Sequence, residues 1–190
     1  MKLDHLIWDE NGWGYLPATD EIFTALQETI DRVDPRSLLE IGFYAGHSTT
    51  YWAELLEKDV DIVSCYPDNH PRGDEFGPVV ESLYPNVRVI RKASPEIITE
   101  FNKRRFDLVY IDGNHTYANA YNDTLAALAV DALYIMYDNT ELTEVRACVD
   151  KFASTGYYSI EKEFEYLSTF KGKKQTNKMT LVRVDNTLSV

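Results

Sequence analysis

Long apolar runs are missing from this 190-residue sequence. Nothing in it approaches the ~20 consecutive apolar residues of a membrane-crossing helix, so no membrane association is expected. Cysteine is nearly absent: Cys65 and Cys148 stand alone, without CxxC spacing, which argues against a disulfide framework or structural zinc and suits a reducing cytoplasm. Positive charge is scarce. Nineteen Lys and Arg face 31 Asp and Glu, a formal net charge of −12, and a surface of that sign repels a phosphate backbone. Nucleic acid is therefore not an expected partner. The first residues include Asp4, Asp9 and Glu10 and no apolar stretch behind basic ones, so they do not read as a secretory leader. Repeats and low-complexity segments are also lacking, and the length suits one domain.

An irregular segment over 1–18, rich in Gly and Trp, precedes that domain, which spans 19–190. Its first helix is predicted over 19–33, with Thr19 as N-cap, Asp20 and Glu21 in the first turn and Asp34-Pro35 as the stop. Strand-like runs follow at 37–42, 60–65, 87–91, 106–112 and 132–138, alternating with helix-like stretches at 47–57, 76–84, 95–104, 117–129 and 141–155. Such alternation predicts an α/β fold, a doubly wound, mostly parallel sheet covered on both faces. After Gly156 the runs 157–166 and 179–184 have only the polar, lysine-rich 171–178 between them, which predicts an antiparallel hairpin at the sheet edge.

A doubly wound sheet takes its ligand at the carboxyl ends of its strands, and three such ends stand out. The first is Glu40-Ile41-Gly42 through Gly46-His47-Ser48-Thr49, a strand that ends near a carboxylate and turns through two glycines into a helix. Glycines there let a ligand approach backbone N–H groups. The second, Ile111-Asp112-Gly113-Asn114-His115, delivers a carboxylate and an imidazole, and the third, Tyr137-Asp138-Asn139-Thr140, delivers another carboxylate and an amide. Asp112, Asp138 and Asn139 would make an all-oxygen site suited to Mg²⁺ or another divalent cation if their strands are neighbours. The alternative is that the aspartates are helix N-caps and Asn139 a turn residue.

Together these motifs resemble class I S-adenosylmethionine-dependent methyltransferases over about residues 20–165. Ile111 to Tyr117 resembles the IDGDHSY pattern of a small subgroup, and Tyr137-Asp138-Asn139-Thr140 resembles the YDNT of caffeoyl-CoA O-methyltransferases. The resemblance implies seven strands and methylation of a small-molecule hydroxyl. It places S-adenosylmethionine against Glu40, Gly42, Gly46, His47, Ser48 and Asp112, and a divalent metal on Asp112, Asp138 and Asn139. His115 takes the position of the catalytic base, three residues after Asp112, which in those relatives is usually a lysine. A homodimer is a further expectation.

The sequence departs from the family pattern at three places. Tyr66 stands where an acidic residue usually clasps the ribose diol, leaving Asp68 as the candidate for that task. Lys92-Ala93-Ser94 replaces the aspartate that meets the adenine amino group, with Ser94 the nearest polar substitute, and Asp131-Ala132 replaces a glycine pair before the fifth strand. The first two fall on cofactor recognition, which keeps open a non-catalytic module on the same fold, or metal chemistry without methyl transfer. Other residues carry two readings each. Trp8, Trp13 and Tyr15 would form an aromatic flap or cover core edges; Tyr117 and Tyr121 would line a substrate pocket or pack; Lys171, Lys173 and Lys174 read as a solvated hairpin tip; His70 and Arg72 would touch ligand or solvent.

Overall fold

The computed structural model describes residues 16–67, 70–101, 104–170 and 173–185. The expected aromatic flap and Asp68 lie outside the described residues. Helix α1 (Asp20–Val33) begins at Thr19, whose side chain accepts from the Ile22 N–H, and stops at Asp34 in the left-handed conformation (φ 45°). Its buried stripe, Ile22, Ala25, Leu26 and Thr29, follows the helical period.

Five parallel strands follow: β1 (Ser37–Ile41), β2 (Asp61–Tyr66), β3 (Val87–Arg91), β4 (Leu108–Ile111) and β5 (Tyr134–Tyr137). Between and after them run α2 (His47–Leu55), α3 (Pro71–Leu83), α4 (Ser94–Glu100), α5 (Tyr117–Ala129) and α6 (Thr143–Ser154), and the antiparallel pair β6 (Tyr158–Phe170) and β7 (Lys173–Val184) closes the chain. The strand order is β3-β2-β1-β4-β5-β7-β6. Alternate side chains feed two cores: Leu38, Tyr110 and Met136 face one layer, Leu39, Val109 and Ile135 the other. This is the seven-stranded, mostly parallel sheet with a terminal antiparallel hairpin that the sequence led us to expect.

Two boundaries differ from expectation. Helix α3 begins at Pro71, five residues before the predicted start, because proline at a first helical position gives up no intrahelical hydrogen bond. The hairpin strands run far into the lysine-rich stretch, pairing out to Phe170 with Lys173. Only Tyr134–Tyr137 of β5 pairs with β7, opposite Thr180 to Arg183, so the distal half of the hairpin extends beyond the sheet. Its exposed polar residues give no alternation of buried and open positions, and the strand signal is lost there.

Candidate functional site

The turn after β1 is held between its two neighbours. The N–H groups of Gly42 and Phe43 both donate to the Cys65 carbonyl at the end of β2, and the Asp112 N–H donates to the Ile41 carbonyl from the end of β4. At Gly42 (φ 118°) a Cβ would lie 2.0 Å from the Asp112 carbonyl oxygen. The neighbouring strand end alone is enough to require glycine there. At Gly46 (φ 81°) a Cβ would lie 2.8 Å from the Phe43 ring, so this glycine also answers to packing.

Glu40 lies wholly out of solvent in the middle of the sheet, and its carboxylate accepts the hydroxyls of Ser48, Thr49 and Ser64. Burial lifts its pKa to about 7, against those three hydrogen bonds, with the Asp112 charge adding to the rise. Glu40 thus clamps the start of α2 to β1 and β2 from behind the turn. Thr49, the last residue of that motif, and Ser64, which lies outside it, complete the clamp. His47, also buried, has its pKa pushed down to about 4 by desolvation; it is neutral at pH 7 and offers no positive charge to a ligand.

The loop after β4 is freed from capping duty. Thr116 is the N-cap of α5 and Leu142 that of α6, so the alternative reading of Asp112 and Asp138 as N-caps falls away. Asp112 Oδ1 lies 3.6 Å from His115 Nε2, an ion-pair rather than a hydrogen-bond distance, with the two side chains 23% and 42% exposed. The carboxylate raises the His115 pKa against partial burial; burial raises that of Asp112 against the imidazole.

Beneath this loop lies a residue that the sequence motifs did not mark. Asp123, on α5 and 5% exposed, places Oδ2 2.7 Å from where a Cβ on Gly113 would be. Burial lifts its pKa to about 6, while the Ser94 hydroxyl and the His115 charge favour the ionised form. A carboxylate on an otherwise apolar helix face, between Ala120 and Ala127, was the signal available. Ser94 therefore turns toward Asp123.

Asp112 and Asp138 follow directly paired residues of adjacent strands, Ile111 and Tyr137. Burial, then repulsion from Asp112, drives the Asp138 pKa well up. Its Oδ1 already accepts the Tyr166 hydroxyl and the Asn139 N–H, each at 2.8 Å. Asn139, at φ 54°, donates its amide to Glu141 at 3.3 Å. Among the described residues no group of three or more His, Cys, Asp or Glu side chains is arranged to hold a metal. The expected set of Asp112, Asp138 and Asn139 is brought to one edge, but Asp138 is engaged by Tyr166, and the arrangement does not fit an open divalent-cation site.

A cavity of about 630 Å³ opens at this edge, within the usual range for small-molecule sites. Gly42, Phe43, Tyr44, His47 and Ser48 line it from the first turn, Pro67 and His70 from the end of β2, and residues 112–116 from the end of β4. Glu40, Gly46, Ser94, Asp138 and Asn139 are not among its walls. Tyr66, which stands in the usual diol-binding place, turns away: its hydroxyl donates to Asp74 at 2.9 Å, and a Cβ on Gly73 would lie 2.5 Å from its ring. Tyr117 and Tyr121 stack on each other at 6.0 Å, with Tyr121 also 5.1 Å from Phe152, which is packing on α6 rather than a cavity wall.

Residues 39–132 match a family described as a methyltransferase domain. No curated protein sequence matches the chain. Among solved structures, an O-methyltransferase from Bacillus cereus in complex with SAH is 18% identical, with TM-score 0.69 over 95% of this chain and 94% of that one. The O-methyltransferase TomG from Streptomyces achromogenes, involved in tomaymycin synthesis and solved with SAM, is 17% identical, with TM-score 0.68 over 90% and 82%. A Pyrococcus horikoshii protein provisionally assigned as an RNA methyltransferase is 14% identical, with TM-score 0.71 over 96% and 94%. At these identities the likeness is one of fold. Motif order, family match and architecture agree: residues 39–132 form a methyltransferase domain, and the chain has the fold of the class I S-adenosylmethionine-dependent methyltransferases.

Proposed function

We propose that this methyltransferase acts on a hydroxyl oxygen of a small molecule, with His115 as the proton acceptor. The observation that carries the reading is the Asp112–His115 pair, 3.6 Å apart, on the rim of the cavity that the glycine turn also lines. The cavity suits the methyl donor in size. The N-terminus of α2, which Gly46 leaves without a side-chain cap, opens beside it at His47 and Ser48 and favours a carboxylate. When bound, S-adenosylmethionine supplies an electrophilic sulfonium methyl group.

The residues of the chain do the rest. Asp112 facing Nε2 favours the tautomer that carries its proton there, leaving the Nδ1 lone pair to accept the hydroxyl proton of the acceptor. As that proton leaves, the acceptor oxygen bonds the methyl carbon and the carbon–sulfur bond breaks, its electron pair staying on sulfur. Asp112 holds the imidazole and stabilises the imidazolium formed. No step is routed through a metal, because Asp138 is held by Tyr166. The net charge of −12 supports a small-molecule acceptor over a nucleic acid.

A second reading, a binding module without turnover, draws on Tyr66 and Ser94, both engaged inside the protein instead of at the cavity. Calorimetry with S-adenosylmethionine separates the two, binding supporting the first and silence the second. Replacing His115 by Gln is expected to lower kcat by roughly 10²–10⁴-fold with donor affinity little changed. An unchanged kcat would remove His115 from the reaction.

A further inference from the structure

With the methyl donor against the glycine turn, one side of His115 is taken. The acceptor must then reach its ring, 42% exposed, from the other side, where β5 ends and α5 and α6 begin. Two large apolar side chains stay open there: Tyr117 is 37% exposed and Leu142 39%. Tyr121 stacks on one face of the Tyr117 ring. Glu144, two residues after Leu142, accepts the Tyr117 N–H at 2.7 Å, which brings the starts of the two helices together. The result is a small apolar shelf just outside the cavity wall, next to Thr116.

Acids surround that shelf, and the chain spends its own cations elsewhere. Glu141 accepts the Lys178 backbone N–H at 2.7 Å and the Asn139 amide at 3.3 Å. Among the described residues no Lys or Arg pairs with Asp138, Glu141 or Glu144: Lys178 Nζ goes to Glu165 at 2.9 Å, and Arg146 to Asp150 and Glu163. Asp138 and Glu141 act on the His115 charge along with Asp112. Beneath the same edge the Tyr110 hydroxyl is wholly buried with no hydrogen-bond partner among the described residues, and Asp138 and Asp112 are the charges it feels most. Oxygens that accept are in surplus here, and hydrogens to donate are few. An apolar surface ringed by unpaired negative charge fits an apolar body that carries positive charge, and repels a carboxylate or a phosphate. We propose that the methyl acceptor is a small hydroxy-amine, cationic at neutral pH, whose apolar body rests on Tyr117 and Leu142 and whose ammonium faces Glu141 and Glu144. This rests on the methyl-transfer reading and gives that site its substrate class.

The test is calorimetry on the protein saturated with S-adenosylhomocysteine, using three probes of similar shape: tyramine, para-ethylphenol and para-hydroxyphenylpropanoate. The native protein is expected to bind tyramine roughly tenfold more tightly than para-ethylphenol, and the propanoate least of all. Glu144→Gln, whose amide oxygen still accepts the Tyr117 N–H, and Glu141→Gln should each narrow the tyramine advantage about two- to threefold and leave para-ethylphenol little changed. Leu142→Ser should weaken tyramine and para-ethylphenol by about the same factor. A neutral probe that binds as well as tyramine overturns the proposal. So does a tyramine advantage that neither glutamate variant narrows, or binding of none of the three probes. In each of these cases S-adenosylhomocysteine still binds and the methyl-transfer reading stands, whereas a native protein that does not bind S-adenosylhomocysteine overturns both.

Discussion

Replacing Asp123 by Asn tests the electrostatics beneath the rim. The side chain is 5% exposed and burial lifts its pKa from 3.8 to about 6. A raised carboxylate prefers the protonated form when folded. Its contribution is therefore complete below the unfolded pKa and is lost as the pH rises to the folded one. A shift of about two units, at 1.36 kcal/mol each, corresponds to a loss of about 3 kcal/mol between pH 4 and pH 6. Asn has the shape of the neutral acid and no titration, so the variant escapes that loss. The expected outcome is a stability difference, variant minus native, that grows by about 3 kcal/mol from pH 4 to pH 7 and then levels. Urea denaturation at unit pH steps measures it, and the loss from Glu40, common to both proteins, cancels in the difference. A difference that is flat, or that shrinks as pH rises, would show Asp123 ionised in the fold and refute the account of this site.

Three further outcomes follow from the same geometry. Gly42→Ala should cost roughly 3 kcal/mol or more without any ligand present, since the new methyl group meets the Asp112 carbonyl at a left-handed φ; an unchanged Tm with lost donor affinity would restore a ligand-approach role for this glycine. Methyl transfer by the native protein should stay within about twofold when a chelator is added, because Tyr166 holds Asp138; a collapse rescued by Mg²⁺ would show that the acidic edge rearranges around a cation. With Asp112 raising the His115 pKa, kcat should rise with pH along a limb that lies above the ordinary histidine value of 6.5 and disappears in His115→Gln.

The order of elements was legible because each strand is a short apolar run ended by a helix-starting turn, and parallel topology admits few alternatives once that alternation is seen. Asp112 and His115 were legible because they sit at the one strand end where a carboxylate and an imidazole follow an apolar run directly. What stayed hidden were partners brought in from elsewhere in the chain. Tyr166 reaches Asp138 across 28 residues, by way of a hairpin whose register no local pattern reveals. Asp123 is only eleven positions after Asp112, yet its role depends on α5 folding back under Gly113. The packing need at Gly42 and Gly46 was also hidden, because a glycine required by a neighbouring strand end or ring looks the same in sequence as one that admits a ligand.

The buried acids also bear on how such a site tells its donor from its product. Glu40, Asp112, Asp123 and Asp138 all have raised pKa values, and in each case burial is the largest cause. Folding thus holds several carboxyl groups in surroundings that disfavour their ionised forms, with His115 the titratable cation beside Asp112 and Asp123. A sulfonium beside Asp112 would relieve that penalty, whereas the neutral thioether left after transfer would not. With the donor placed as proposed, Asp112, the one of these acids that lines the cavity, would in its ionised form favour the charged donor over the spent one, and that bias would weaken as it is protonated.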